Sequence, residues 1–281
     1  PTPWLWVSEG ITDYYADVAL VRAGVIDSAE FLALTAGKIQ EVADVPVVSL
    51  EDASLSAWIG MTDGTGSIYY PKGSLAGMLL DIRIRDASGN AKSLDDVLRG
   101  LYRSTYEKGR GFTGKEWWAA VSSAAGGASF EEFNARYIDG REPFPYATDF
   151  ALAGITFVVD SNRIPRVGIQ TRGDSAPEAV MGMSEGSAFA AAGGLVGDEL
   201  VRVGDIEVSG GDWAPKFRTR YGASPEGTVI PVAVRRGGQP VTLQMALRFV
   251  TIRSYRLVPD PNASPAAVQV RQGIMRGSVA K

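Results

Sequence analysis

The sequence predicts an α+β chain of more than one domain, helical first and strand-rich later, and three observations predict it. Helix-start signals recur from Glu9 to about Gly140. A stretch dense in proline and aromatics, residues 141–157, then breaks the pattern and reads as a linker. Beyond it apolar and polar residues alternate, punctuated by glycine pairs, as in strands and hairpins. At 281 residues the chain is long enough for two domains with separate cores. The expected division is 1–147, 148–250 and a tail, 251–281, that packs back on the body because Tyr255, Leu257 and Val258 would otherwise be exposed.

The helical signals can be taken in order. Asp27 and Glu30 have capping-box spacing ahead of Phe31, Leu32 and Leu34. Ser93 and Asp96 repeat it before Val97, Leu98 and Leu101, with aspartate replacing glutamate. Thr113 with Glu116 and Ser129 with Glu132 start two more helices, and Gly140 is placed to stop the last. Residues 45–66 are mixed, with a loop at 61–66. Pro71 fits a first helical turn, and Leu75, Met78, Leu79 and Ile82 then form a stripe that must face a core. In the second half, residues 229–234 and 241–247 form a hairpin around Gly237 and Gly238. Ser264 and Pro265 start a final helix.

Composition removes several classes of function. A net charge of −4 gives no reason to expect nucleic acid or an anionic membrane as partner. No apolar run reaches the roughly 20 residues a spanning helix needs. The chain contains no cysteine, so disulfides, thiol catalysis and Cys-zinc sites are out; the compartment, cytoplasmic or periplasmic, stays open. It also contains no histidine, which excludes Ser-His-Asp and Cys-His mechanisms and His-rich zinc coordination within this chain.

Two clusters carry candidate chemistry. In Trp4-Leu5-Trp6-Val7-Ser8-Glu9-Gly10-Ile11-Thr12-Asp13-Tyr14-Tyr15 an aromatic run gives way to a helix, with Glu9 and Asp13 four apart. The bland alternative is a first-turn glutamate favoured by the helix dipole, with Asp13 solvated. In Tyr69-Tyr70-Pro71-Lys72-Gly73 a phenol stands at a helix start, able to donate a hydrogen bond to an oxyanion without carrying charge. There the alternative is a half-buried aromatic. Ser67 with Lys72 also permits a Ser–Lys peptidase reading, with no evident oxyanion loop.

The segment "LWVSEGITDYY" resembles the third-ligand segment of gluzincin zinc aminopeptidases, and the whole chain most resembles the C-terminal part of the glycyl aminopeptidase family. That family joins a gluzincin catalytic domain to a PDZ domain. The resemblance implies the helical C-terminal part of such a catalytic domain followed by a β-barrel-like PDZ domain. It implies Glu9 as a Zn2+ ligand, and Tyr70, in the family's Tyr-x-Lys-Gly pattern, as the tyrosine facing the zinc-bound substrate. Asp13 would hold the ring N–H of a histidine ligand. The departure is the missing histidines: one ligand of three is present. The chain opens at Pro1 almost on top of the motif, and the HExxH segment, with two histidines and the general-base glutamate, is expected upstream.

Residues 184–204, "SEGSAFAAAGGLVGDELVRVG", resemble the short helix and following strand of a PDZ domain, with Leu200 and Val203 buried. Arg166, Val167, Gly168 and Ile169 then correspond to the loop whose amides capture a peptide carboxylate, although Pro165 removes one donor nearby. The implied function is the C-terminal portion of a zinc aminopeptidase that removes N-terminal glycine or alanine from peptides and is inactive alone. The alternative is a non-catalytic PDZ scaffold that binds peptide termini.

Overall fold

The computed structural model describes residues 2–59, 63–172, 178–208 and 211–277. Of the loop expected at 61–66, residues 61 and 62 lie outside the described residues. The chain divides into two compact units, one of residues 1–160 and 255–281 and one of residues 161–254.

In the first unit a π-helical turn, Trp6–Ile11, runs into α1 (Thr12–Arg22), followed by α2 (Ser28–Ala43), α3 (Leu50–Ser56) and α4 (Tyr69–Ala87). After these come α5 (Leu94–Ser104), α6 (Gly114–Ala124), α7 (Glu131–Phe133) and α8 (Tyr146–Leu152). The second unit's α9 (Ala188–Ala191) and α10 (Trp213–Tyr221) intervene before α11 (Pro265–Arg276) closes the first unit. Short polar signals set the ends. Both halves of the capping box form at Asp27/Glu30, Ser93/Asp96 and Thr113/Glu116. The Ser264 hydroxyl accepts from the Ala267 amide at the start of α11.

Helix α4 is the spine of this unit. It packs against the π turn, α1, α2, α3, α5, α6, α8 and α11. Leu75, Met78, Leu79 and Ile82 are buried, as the stripe requires, and so are Leu80 and Ile84 on the other faces. Even Asp81 and Arg85 are buried. Asp81 can be, because its carboxylate accepts from the Tyr14 hydroxyl at 2.9 Å, the Leu94 amide at 2.8 Å and Arg85 Nε at 3.1 Å. Arg85 also reaches Asn90 at 2.9 Å. Burial of Tyr14 beside Asp81 pushes its phenol pKa well up, so it stays a donor.

Two expectations change. The stretch 141–157 is not simply a linker, because α8 lies within it. Pro143 and Pro145 precede that helix, and Pro145 is its N-cap, so neither ring breaks an internal hydrogen bond. Phe150 is fully buried, and buried Asp149 pairs with Arg83 Nε at 2.7 Å. The helix expected from Ser129 is only one turn, α7, before a π-helical turn, Asn134–Ile138, that ends just short of Gly140.

The second unit is built on a six-stranded sheet in the order β2 (Ile169–Thr171), β3 (Glu178–Met183), β4 (Glu199–Val203), β6 (Val229–Arg236), β7 (Gln239–Ala246), with β5 (Ile206–Glu207) paired to β4. Neighbours in it are antiparallel. The β6–β7 hairpin pairs Arg236 with Gln239 across Gly237 and Gly238, whose φ values of 56° and 81° suit a primed turn. Phe189, Leu200, Val203, Val232 and Met245 form the core with Trp213 and Phe217 from α10. Strands β1 (Ile155–Arg166) and β8 (Arg248–Pro259) make a separate two-stranded sheet, and the division between the units falls within both strands. Among the described residues, no helix is long and apolar enough to cross a membrane.

Candidate functional site

The Glu9 segment is positioned by a backbone-to-backbone crossing. Gly10, in the π turn, and Gly73, in α4, approach so closely that neither tolerates a side chain. A Cβ on Gly10 would lie 2.6 Å from the Gly73 Cα, and one on Gly73 would lie 2.6 Å from the Trp6 carbonyl oxygen. The π turn is locked by Trp6, which is wholly buried against Trp117 and Trp118 and donates its amide to Ser54 Oγ at 3.1 Å. π-Helical turns are rare and concentrate at functional sites.

That crossing brings together the two residues the sequence singled out. The Tyr70 hydroxyl donates to Glu9 Oε2 at 3.0 Å. This bond, with a smaller contribution from desolvation, pushes the Tyr70 phenol up to about 12, so it keeps its proton at neutral pH. Tyr70 is 38% exposed, so the pair faces solvent and can be reached.

Asp13 lies elsewhere in the polar network. Its carboxylate pairs with Lys38 Nζ at 2.7 Å, and Lys38 also reaches Asp17 at 2.5 Å and Ser74 Oγ at 3.0 Å. Sequence reasoning missed Lys38, because its three partners lie on two other helices. Lys72 is buried and donates to the Val48 carbonyl at 2.5 Å, which gives it a structural role and not that of a base beside Ser67. Burial, reinforced by Arg141, lowers its pKa to about 8.

Among the described residues no three His, Cys, Asp or Glu side chains converge, and the sequence has no histidine. The residues present offer one carboxylate, Glu9, and do not by themselves fit a zinc ion.

In the second unit, Arg166, Val167, Gly168 and Ile169 line a cavity of about 420 Å³ together with Thr171 and Glu178 and with Trp213, Phe217 and Arg218 of α10. Strand β2, at the end of the sheet order, forms one wall and α10 another. Gly168 has φ 80°, and a Cβ there would lie 2.7 Å from Ser187 Cα, so only glycine fits the turn. Glu178, which the sequence did not mark, accepts from Trp213 Nε1 at 2.8 Å and Thr171 Oγ1 at 2.9 Å.

Residues 1–76 match the family model of M61 glycyl aminopeptidases, and this segment contains Glu9, Gly10, Asp13, Tyr70 and Gly73. The similarity to that family lies in this segment, 76 of the chain's 281 residues. The fold of the chain resembles that of an aminopeptidase N family protein from Idiomarina loihiensis. The TM-score is 0.72 at 18% identity, over 95% of this chain and 48% of that one. The chain therefore spans about half the length of that structure. A serine endoprotease from Yersinia pestis is also similar, at 24% identity over 31% of this chain and 30% of that one, with a TM-score of 0.26. A PDZ domain of HtrA3 bound to a phage-derived ligand aligns at 17% identity over 33% of this chain and 92% of that domain, with a TM-score of 0.26. Scores that low establish no shared fold. No curated protein sequence matches the chain.

Proposed function

We propose that this chain provides part of the active site of a zinc-dependent aminopeptidase that removes N-terminal glycine or alanine from peptides. The observation that carries the reading is the 3.0 Å hydrogen bond between Tyr70 and Glu9, inside the segment that matches the family model. Zinc, when bound, would polarise the scissile carbonyl and activate water. The residues here cover only part of that site. Glu9 would contribute one carboxylate ligand; two histidines and a general-base glutamate must come from an HExxH segment that this sequence does not contain. Tyr70 would turn its protonated hydroxyl from Glu9 to the oxyanion that develops on the substrate carbonyl. Asp13, held by Lys38, sits one turn beyond Glu9 and would accept the ring N–H of a histidine ligand. Alone, the chain would be inactive.

The test uses the full-length protein, with zinc content and glycyl-p-nitroanilide hydrolysis as readouts. Glu9→Gln should lower zinc occupancy. Tyr70→Phe should keep zinc and lose about 10²–10³ in kcat. Metal-free protein without hydrolysis would overturn the reading.

A second reading is favoured by the groove in the second unit. An edge strand, a glycine-containing loop and a flanking helix suit strand addition of an extended peptide, with loop amides and Arg166 receiving a terminal carboxylate. On this reading the unit is a PDZ domain, and a purely scaffolding protein would keep this binding with no metal.

A further inference from the structure

We infer that Glu178 is a specificity-determining residue of the second unit's groove, and that the groove's ligand is an extended peptide carrying a lysine or arginine side chain. The inference rests on the peptide-groove reading above and adds the ligand's chemistry to it.

Glu178 is 2% exposed, and it joins the two walls of the groove. Its Oε2 takes both available donors, Thr171 Oγ1 from β2 and Trp213 Nε1 from α10. Its Oε1 is buried and has no hydrogen-bond partner among the described residues. A buried carboxylate oxygen left unpaired is expensive, and natural structures rarely keep one without a use. This one belongs to a residue that lines a cavity of about 420 Å³.

A peptide added beside β2 would spend its backbone amides on that strand and on the Arg166–Ile169 loop. The group left to satisfy Oε1 is a side-chain donor, and a cation suits a carboxylate best. Arg166 and Arg218, exposed in the same lining, repel a free cation but suit the peptide's own carboxylate. Charge complementarity thus asks for a peptide with an anionic end and a basic side chain. A peptide lacking the donor leaves Oε1 unpaired, and that is how a polar site rejects an apolar analogue.

The experiment is fluorescence polarisation on the full chain with two pools of labelled peptides, each ending in a free carboxylate. The pools differ only in carrying lysine or norleucine at one of the positions before the terminus. Wild-type protein should bind the lysine pool at least about ten-fold tighter. Glu178→Gln should reduce that advantage to within about two-fold, since it places an amide donor where the acceptor was. Should Glu178→Gln not fold, an acetyl-lysine pool on wild-type protein replaces it, and it should bind no better than norleucine. Equal binding of both pools by the wild type would overturn the role of Glu178 and leave the peptide groove standing. Binding of neither pool would overturn the groove reading and this inference with it.

Discussion

The Glu9–Tyr70 site and the groove of the second unit are built in opposite ways. The first is fixed from the backbone up: a wholly buried Trp6 holds the π turn, and two glycines bring it against α4. Its carboxylates have partners, Glu9 in Tyr70 and both Asp13 and Asp17 in Lys38, while the buried indole nitrogens of Trp6 and Trp117 have none among the described residues. The second is open, bounded by an edge strand, and keeps one buried carboxylate oxygen, Oε1 of Glu178, without a partner among the described residues. A preorganised pair suits chemistry, where geometry must be set before substrate arrives. An unsatisfied wall suits recognition, where the ligand completes the hydrogen bonding.

The sharpest way to break the comparison is to disturb the glycine crossing. Gly73→Ala would put a methyl carbon 2.6 Å from the Trp6 carbonyl, which is backbone and cannot swing away. The expected loss is about 3 kcal/mol in urea unfolding, as for overpacking at a rigid contact. An unchanged midpoint would mean that the backbone contact does not hold the site. Gly168→Ala offers the matching test in the groove, where a positive φ of 80° adds to a close Ser187.

Lys72 gives the next effect, and its sign can be worked out. Its pKa falls from the ordinary 10.5 to about 8 on folding. Between those values the unfolded chain holds more protons, so stability rises as pH rises through that window. The full penalty applies below about 8 and is at most about 3 kcal/mol. Other groups titrate there too, so the measurement is the difference between wild type and Lys72→Met. Wild type should gain on the variant from pH 8 to 10.5, and a flat difference would show that Lys72 is not the buried cation assigned here.

Removing the cation that Asp13 and Asp17 share is expected to cost less. Lys38→Met leaves two carboxylates on α1 without their partner. With both partly exposed, the loss should be about 1 kcal/mol. If Asp13 serves a metal-bound histidine, the same variant should weaken zinc retention in the full-length protein more than it weakens the fold.

How much of this was legible depended on the distance between cause and effect. The caps at Asp27, Ser93, Thr113 and Ser264 are written within four residues, and they form. The α4 stripe is periodic, so its buried face could be read. That α4 is buried on the other faces too could not, because Tyr14, Leu94 and Asn90, which make Asp81 and Arg85 tolerable there, come from other segments. The prolines of 141–157 hid α8 because a cap and a break look alike in sequence. No residue pattern marks a π turn, so the Glu9 motif was visible and its backbone was not. Glu178 carries no local sign: its meaning arises only when β2 and α10 close on it.

Tyr70→Phe carries the smallest structural effect and separates the two designs most cleanly. The hydroxyl is exposed, and its partner Glu9 can turn to water, so the denaturation midpoint should not move. Even without the upward push from Glu9, a phenol's ordinary pKa of 10.0 lies above neutral pH, so the wild-type residue should act as a donor across the working range of pH. In the full-length protein the variant should therefore lose rate by a constant factor between pH 6 and 9, with KM little changed. A loss that varies with pH would make Tyr70 a titrating acid or base. A loss of stability would make its bond to Glu9 structural, and the first site would then be no more preorganised for chemistry than the second.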